Sequence, residues 1–190
     1  VEYLKKLKEA LVKTEKVVII GGGFIGIEMA DEIKKMGKKV TIVEALPHCL
    51  EMAFDEEFCI EMEEKLRQKN IEIKTNTKVI KIIGESKVEK VLLSNKEEIS
   101  ADAIILAIGA VPNTKLAQEA GLEINKKGAV VVNEYMKTSD DDIFAIGDCA
   151  QKTDFFTKER ITTMLASTAT SEARIAGLNV YNLQIIRQNK

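Results

Sequence analysis

Short β-branched runs alternate along the chain with stretches in which apolar positions recur every three or four residues. Leu4, Leu7 and Leu11 share one face of a lysine-rich stretch, which predicts an amphipathic helix over Tyr3 to Lys13. Val17 to Ile20 is an unbroken apolar run, as a parallel strand requires when both its faces are covered. Ile25, Met29, Ile33 and Met36 then recur at helical spacing, and Lys39 to Glu44 reads as a second strand ending in a carboxylate. Phe54, Phe58, Met62 and Leu66 step by four, predicting a helix over Asp55 to Lys69. Ile71 to Lys74, Lys78 to Ile83 and Val88 to Leu93 follow, with polar turns at Gly84 to Ser86 and Ser94 to Glu97. Together these runs read as an antiparallel excursion from the parallel sheet. Ala103 to Gly109 is a further buried strand, after which Pro112 forces a turn.

The second half predicts a short helix over Lys115 to Ala120 with Gly121 as its C-cap. Leu122 to Asn133 reads as a hairpin turning at Lys126-Lys127-Gly128. Ile143 to Ile146 reads as a short buried strand, and Thr162 to Leu178 as a helix ending near Gly177. The expected fold class is α/β: a Rossmann-like doubly wound parallel sheet with an antiparallel excursion, followed by a second half of different character.

Composition removes several function classes. Of 190 residues, 45% are apolar and 31% charged, ordinary for a globular chain. A net charge of −2 argues against nucleic acid or an anionic membrane as the main partner. No apolar run reaches the roughly 20 residues of a membrane helix. No signal peptide is recognisable, and a start at Val1 reads as mid-protein. Cys49, Cys59 and Cys149 form no C-x-x-C pair and have no histidine cluster, so neither a disulfide framework nor a metal site is expected. A reducing cytoplasm is the expected compartment. The lone His48 sits in a loop without an acid or nucleophile at a recognisable spacing. Asp140 to Asp142 read as a solvated loop.

The candidate chemistry lies at strand ends. Gly21, Gly22, Gly23, Phe24, Ile25 and Gly26 link the first strand to the first long helix, with G-x-G-x-x-G spacing at Gly21, Gly23 and Gly26. Gly21 permits the tight turn, Gly23 lets a pyrophosphate approach the backbone, and Gly26 lets helix and strand pack closely. The helix N-terminus offers free N–H groups and partial positive charge. Glu44 lies 23 positions after Gly21 and can accept hydrogen bonds from both ribose hydroxyls. It would repel a 2′-phosphate, and Ala45 supplies no arginine to receive one, so NAD is favoured over NADP. Gly147-Asp148 presents a second carboxylate on a glycine turn after Ile146.

In this order the pieces resemble the FAD-dependent pyridine nucleotide–disulfide oxidoreductase family. The resemblance rests on the Gly21–Gly26 loop with Glu44, on Ile104 to Asn113, and on Thr138 to Asp148. Gly147-Asp-Cys-Ala150 followed by Met164 to Ala169 looks most like the NADH oxidase and CoA-disulfide reductase branch. The resemblance implies a leading helix over 1–13, an NAD(H)-binding domain over 14–111, and the incomplete C-terminal part of an FAD-binding domain over 112–190. Ile108 and Gly109 belong to the turn leaving the first domain. Asp148 implies a contact to the flavin ribitol, Phe24 a gate over the nicotinamide, and Glu28 a neighbour of the nicotinamide amide. Glu28 is equally readable as a first-turn acid favoured by the helix dipole. The branch's redox cysteine is expected before Val1, and none of the three cysteines matches it. The implied whole is a homodimeric flavoprotein passing hydride from NADH to FAD and on to a small-molecule acceptor: oxygen, peroxide or a CoA disulfide. By itself this chain is expected to be inactive. The alternative is a stand-alone NAD-binding, redox-sensing module without flavin.

Overall fold

The computed structural model describes residues 2–161 and 163–180. The chain divides after Gly109 into two compact units.

The first unit begins with α1 (Glu2–Val12), β1 (Lys16–Ile20), α2 (Phe24–Lys35), β2 (Lys39–Val43) and α3 (Glu56–Gln68). It continues with β3 (Glu72–Lys74), β4 (Val79–Ile83), β5 (Lys90–Leu93), β6 (Glu98–Ser100) and β7 (Ala103–Leu106). A four-stranded parallel sheet has the order β3-β2-β1-β7. Strand alternation divides the burial of β1 between two faces. Val17 and Ile19 join the cluster of Ile27, Ala30, Ile33 and Leu66 contributed by the helices. Val18 joins Val91, Leu93 and Ala101, because the antiparallel sheet β4-β5-β6 covers the other face. Each fully buried aliphatic side chain of this kind contributes about 1.5–3 kcal/mol. Asp102 clamps the starts of β1 and β7, its Oδ2 accepting the N–H groups of Glu15 and Lys16 at 2.8 Å each. Those bonds hold its carboxyl below the usual range.

The strand over 71–74 is not part of the antiparallel excursion: β3 pairs parallel with β2. The excursion instead gains β6, a three-residue strand too short to carry a period of its own. The helical stripes are displaced from those the apolar residues trace. On α2 the buried positions are Gly26, Ile27, Ala30 and Ile33, whereas Ile25 and Met36 are exposed. On α3 they are Cys59, Glu63 and Leu66, whereas Phe58 and Met62 are exposed, as is Phe54 just before the helix. Small Cys59 lets α3 approach the core, and Glu63 satisfies the Cys49 N–H while pairing with Arg67. β7 is half-buried rather than buried, and Leu106 at its end is exposed.

The second unit contains α4 (Lys115–Glu119), β8 (Lys152–Thr153), β9 (Arg160–Ile161) and α5 (Ala166–Asn179). The hairpin over 122–133 is present as a single antiparallel bridge, Ile124 to Val130, turning through Gly128. Ile143 to Ile146 forms no strand. Its one bridge joins Phe144 to Lys137, and Ile143 and Ile146 are exposed. With one pairing contact, four apolar residues lack the ladder that would make them a strand. The helix begins at Ala166, later than expected, and ends at Asn179; Thr162 lies outside the described residues.

Candidate functional site

β1 delivers the chain into Gly21, whose N–H donates to Val43 O at 2.9 Å. Gly21 has φ +106°, and a Cβ there would overlap the carbonyl oxygen of Ala107. A Cβ at Gly26 would overlap the carbonyl oxygen of Gly21, so α2 packs directly against the turn. At Gly22 a Cβ would come within 2.5 Å of Cys49 Sγ. Gly23 differs: nothing lies within 4 Å of its Cβ position. It is the N-cap of α2 and makes no side-chain cap, so the first amides of the helix stay open. Packing therefore opposes a Cβ at 21, 22 and 26, while nothing in the chain opposes one at 23.

Glu44 follows β2, and backbone fixes its carboxylate. Gly22 N–H donates to Oε2 at 2.5 Å and Leu46 N–H to Oε1 at 2.8 Å. A cleft of about 880 Å³ opens beside it. Gly21, Gly23, Phe24, Ile25, Glu44, Ile108 and Gly109 all line this cleft. Its walls are rich in exposed apolar side chains, Phe24 at 56%, Ile25 at 61% and Ile108 at 72%, as planar rings would need. Phe54 meets Phe24 edge to face, with centroids 5.8 Å apart. Gly22 and Gly26 stand behind the cleft as its support. The remaining wall is β4 with Thr77 and Lys78, which sequence reasoning assigned no role. Lys78 and Lys81 add cations there, but strand periodicity alone does not say which ligand a face meets.

The structure does not bring Glu28 into the cleft. It is exposed in a separate groove between α2 and α3, with Asp31, Glu32, Lys65 and Lys69. Nor does it occupy the first turn of α2, which carries no acid. His48 stands 3.5 Å from Glu63 and 3.6 Å from Glu56 beneath α3, outside the residues lining the cleft. Cys49 is fully buried, and burial, with Glu63 and Glu44 adding to it, pushes its thiol up to about 12. Among the described residues no three His, Cys, Asp or Glu side chains cluster as a metal site, and no helix is long and apolar enough to cross a membrane.

In the second unit Gly147, at φ +73°, opens a single 3-10 turn over Gly147–Cys149. Asp148 is exposed and lines a hollow of about 580 Å³ with Val111, Asn113, Met164, Ala166 and Ala169. The N-terminus of α5 thus reaches the same hollow as the Asp148 carboxylate. Behind the turn lies a buried pair, Lys152 and Glu172, that sequence reasoning missed. A glutamate within a helix and a lysine in a two-residue strand resemble surface residues until the fold buries them.

A model of the pyridine nucleotide–disulphide oxidoreductase family matches residues 2–173. The chain is 38% identical over 179 residues to an NAD(P)H coenzyme A polysulfide/persulfide reductase of Pyrococcus horikoshii, covering 94% of this chain and 39% of that protein. It is 41% identical over 150 residues to a rubredoxin-NAD(+) reductase of Ectopseudomonas oleovorans, covering 78% and 38%. The structure of a water-forming NADH oxidase from Lactobacillus brevis, bound to NADH, superposes with a TM-score of 0.89 at 25% identity, covering 97% and 40%. The chain therefore spans about two-fifths of the length of these relatives. With the family model matched from the first helix, through the glycine turn and Glu44, to α5, this chain belongs to the pyridine nucleotide–disulphide oxidoreductase family.

Proposed function

We propose that this chain is the NADH-holding portion of a flavoprotein oxidoreductase, joined to part of its FAD-binding domain. The observation that carries this reading is Gly23, open at the N-terminus of α2 and facing the same cleft as Glu44. The pyrophosphate would lie over Gly23 and the first amides of α2. Glu44, already aimed by Gly22 and Leu46, would accept the adenosine ribose hydroxyls. Phe24, Ile25 and Ile108 would enclose the nicotinamide and keep water from it. Gly109 would let the chain turn away beside it. Residues 14–111 would form the NAD(H) domain and 112–190 the returning part of the FAD domain.

The residues of the second unit fit a flavin: Asp148 offers an exposed carboxylate, and the N-terminus of α5 offers partial positive charge beside it. Gly147 and Asp148 would hold the ribitol. When both cofactors are bound they supply hydride transfer, and the protein contributes position and electrostatics. The electrons would pass to oxygen, peroxide or a CoA disulfide in a cytoplasmic homodimer. The flavin-free sensor reading gains no support, because the family match continues past Asp148 to residue 173. Glu28 would approach the nicotinamide only if an element outside this cleft brought them together, and its position favours a surface role.

Titration of the 190-residue chain with NADH and NADPH, followed by nicotinamide fluorescence, tests the reading. NADH is expected to bind more tightly. Glu44→Gln is expected to weaken NADH about tenfold, the scale of a lost charge-assisted hydrogen bond, and to narrow the preference. Tighter NADPH binding by the unaltered chain would overturn the role given to Glu44.

A further inference from the structure

Lys152 is 4% exposed and Glu172 1%, and their charged ends lie 3.2 Å apart. Both are directed at Gly147. Its N–H donates to Glu172 Oε2 at 2.7 Å. Its carbonyl accepts from Lys152 Nζ, which also donates to Ala150 O at 2.9 Å. The Ala150 N–H closes the turn onto the same Gly147 carbonyl at 3.0 Å. Both backbone polar groups of one glycine are thus held by a buried ion pair, and the next side chain is Asp148. Glu172 Oε1 is also buried and has no hydrogen-bond partner among the described residues. Burying two charges is a poor route to stability, since apolar residues of similar volume often do as well or better. What such a pair does supply is fixed geometry: Gly147 is kept at φ +73°, a conformation that only glycine adopts without strain.

We propose that Glu172 and Lys152 are positioning residues for the flavin: they lock the Gly147 turn so that Asp148 is aimed at the ribitol before the cofactor arrives. This rests on the flavin reading above. Neither residue touches the hollow that Asp148 lines. They act through the backbone of Gly147, lowering the ordering cost of binding as preorganised sites do. The carboxylate reaches the turn from α5, so flavin affinity is tied to the seating of that helix.

The test uses the whole gene product that carries this chain, stripped of flavin and reconstituted with FAD. Glu172→Gln and Lys152→Met are each expected to weaken FAD at least about tenfold and to alter the visible circular dichroism of bound flavin. NADH affinity should stay within about twofold, since the nucleotide cleft lies in the other unit. Either single variant leaves a buried charge unpaired, so the paired variant Glu172→Gln/Lys152→Met is made as well. It should melt close to the unaltered protein yet remain weak for FAD. The proposal is overturned if the single variants bind FAD with unchanged affinity and spectrum. It is also overturned if the paired variant restores FAD affinity along with stability, since the pair then serves only the fold. Asp148→Asn separates the two ideas. Weak FAD binding by Asp148→Asn with none lost in Glu172→Gln sinks the positioning role alone. A gene product that binds no FAD at all sinks the flavin reading and this inference together.

Discussion

Cys49 and Glu44 show how far single residues could be understood before their surroundings were known. The place of Glu44 was legible because it depends on a distance along the chain: the acid ends the strand that follows a glycine turn, and the fold brings strand and turn together. Cys49 carried no such signal. Only the folded loop shows its thiol filling the space behind Gly22, where a methyl group at 22 would meet it. With the thiol pushed up to about 12, almost no thiolate exists near neutrality. Cys59 is likewise buried and shifted upward. Alkylation of the native chain at pH 8, followed by mass spectrometry, should therefore mark Cys149 first, the one cysteine left partly exposed. Cys49 and Cys59 should react only after denaturant is added. Rapid labelling of Cys49 in the native chain would show that the loop around it opens.

Elements were legible in existence and order, less so in orientation. Period and punctuation predicted α2 and α3, but the most apolar stripe was not the buried one on either helix. Burial depends on what faces the sheet, and there Ile27, Ile33 and Leu66 stand among small residues and the paired carboxylate of Glu63. The outward Phe24 and Ile25 line the cleft instead. The glycine turn is where the logic of sequence and packing can be separated by substitution. Gly26→Ala would drive a methyl group into the Gly21 carbonyl, so α2 must move, at a cost of about 1–3 kcal/mol. Gly23→Ala meets nothing in the protein at φ −74° and should leave stability nearly unchanged, within about 0.5 kcal/mol. It should nonetheless weaken NADH at least tenfold by about one hydrogen-bonded contact to phosphate. Calorimetric melting beside NADH titration checks the pair. Equal loss of stability in both variants would mean that Gly23, too, is a packing glycine.

The whole chain combines two compact units, and the cleft beside Glu44 lies wholly within the first. The first was readable because its chemistry is local: strand, turn, helix, strand and acid fall within residues 16–44, and each has a residue-type requirement. The second resisted reading because its framework is built from isolated bridges and a buried ion pair, neither of which leaves a period in sequence. Asp148 stands out in the sequence through a motif; the pair behind its turn does not. Every residue lining the cleft beside Glu44 falls between Ile20 and Gly109, inside the first unit. Apolar burial in that unit closes on itself through two clusters, one on each face of the parallel sheet. A chain of residues 1–109 should therefore fold cooperatively and bind NADH within about threefold of the 190-residue chain, a difference below about 1 kcal/mol. Thermal melting and NADH titration of the two lengths measure this directly. If the shorter chain folds but loses NADH, the second unit contributes to the nucleotide site, and the assignment of that site to one unit fails.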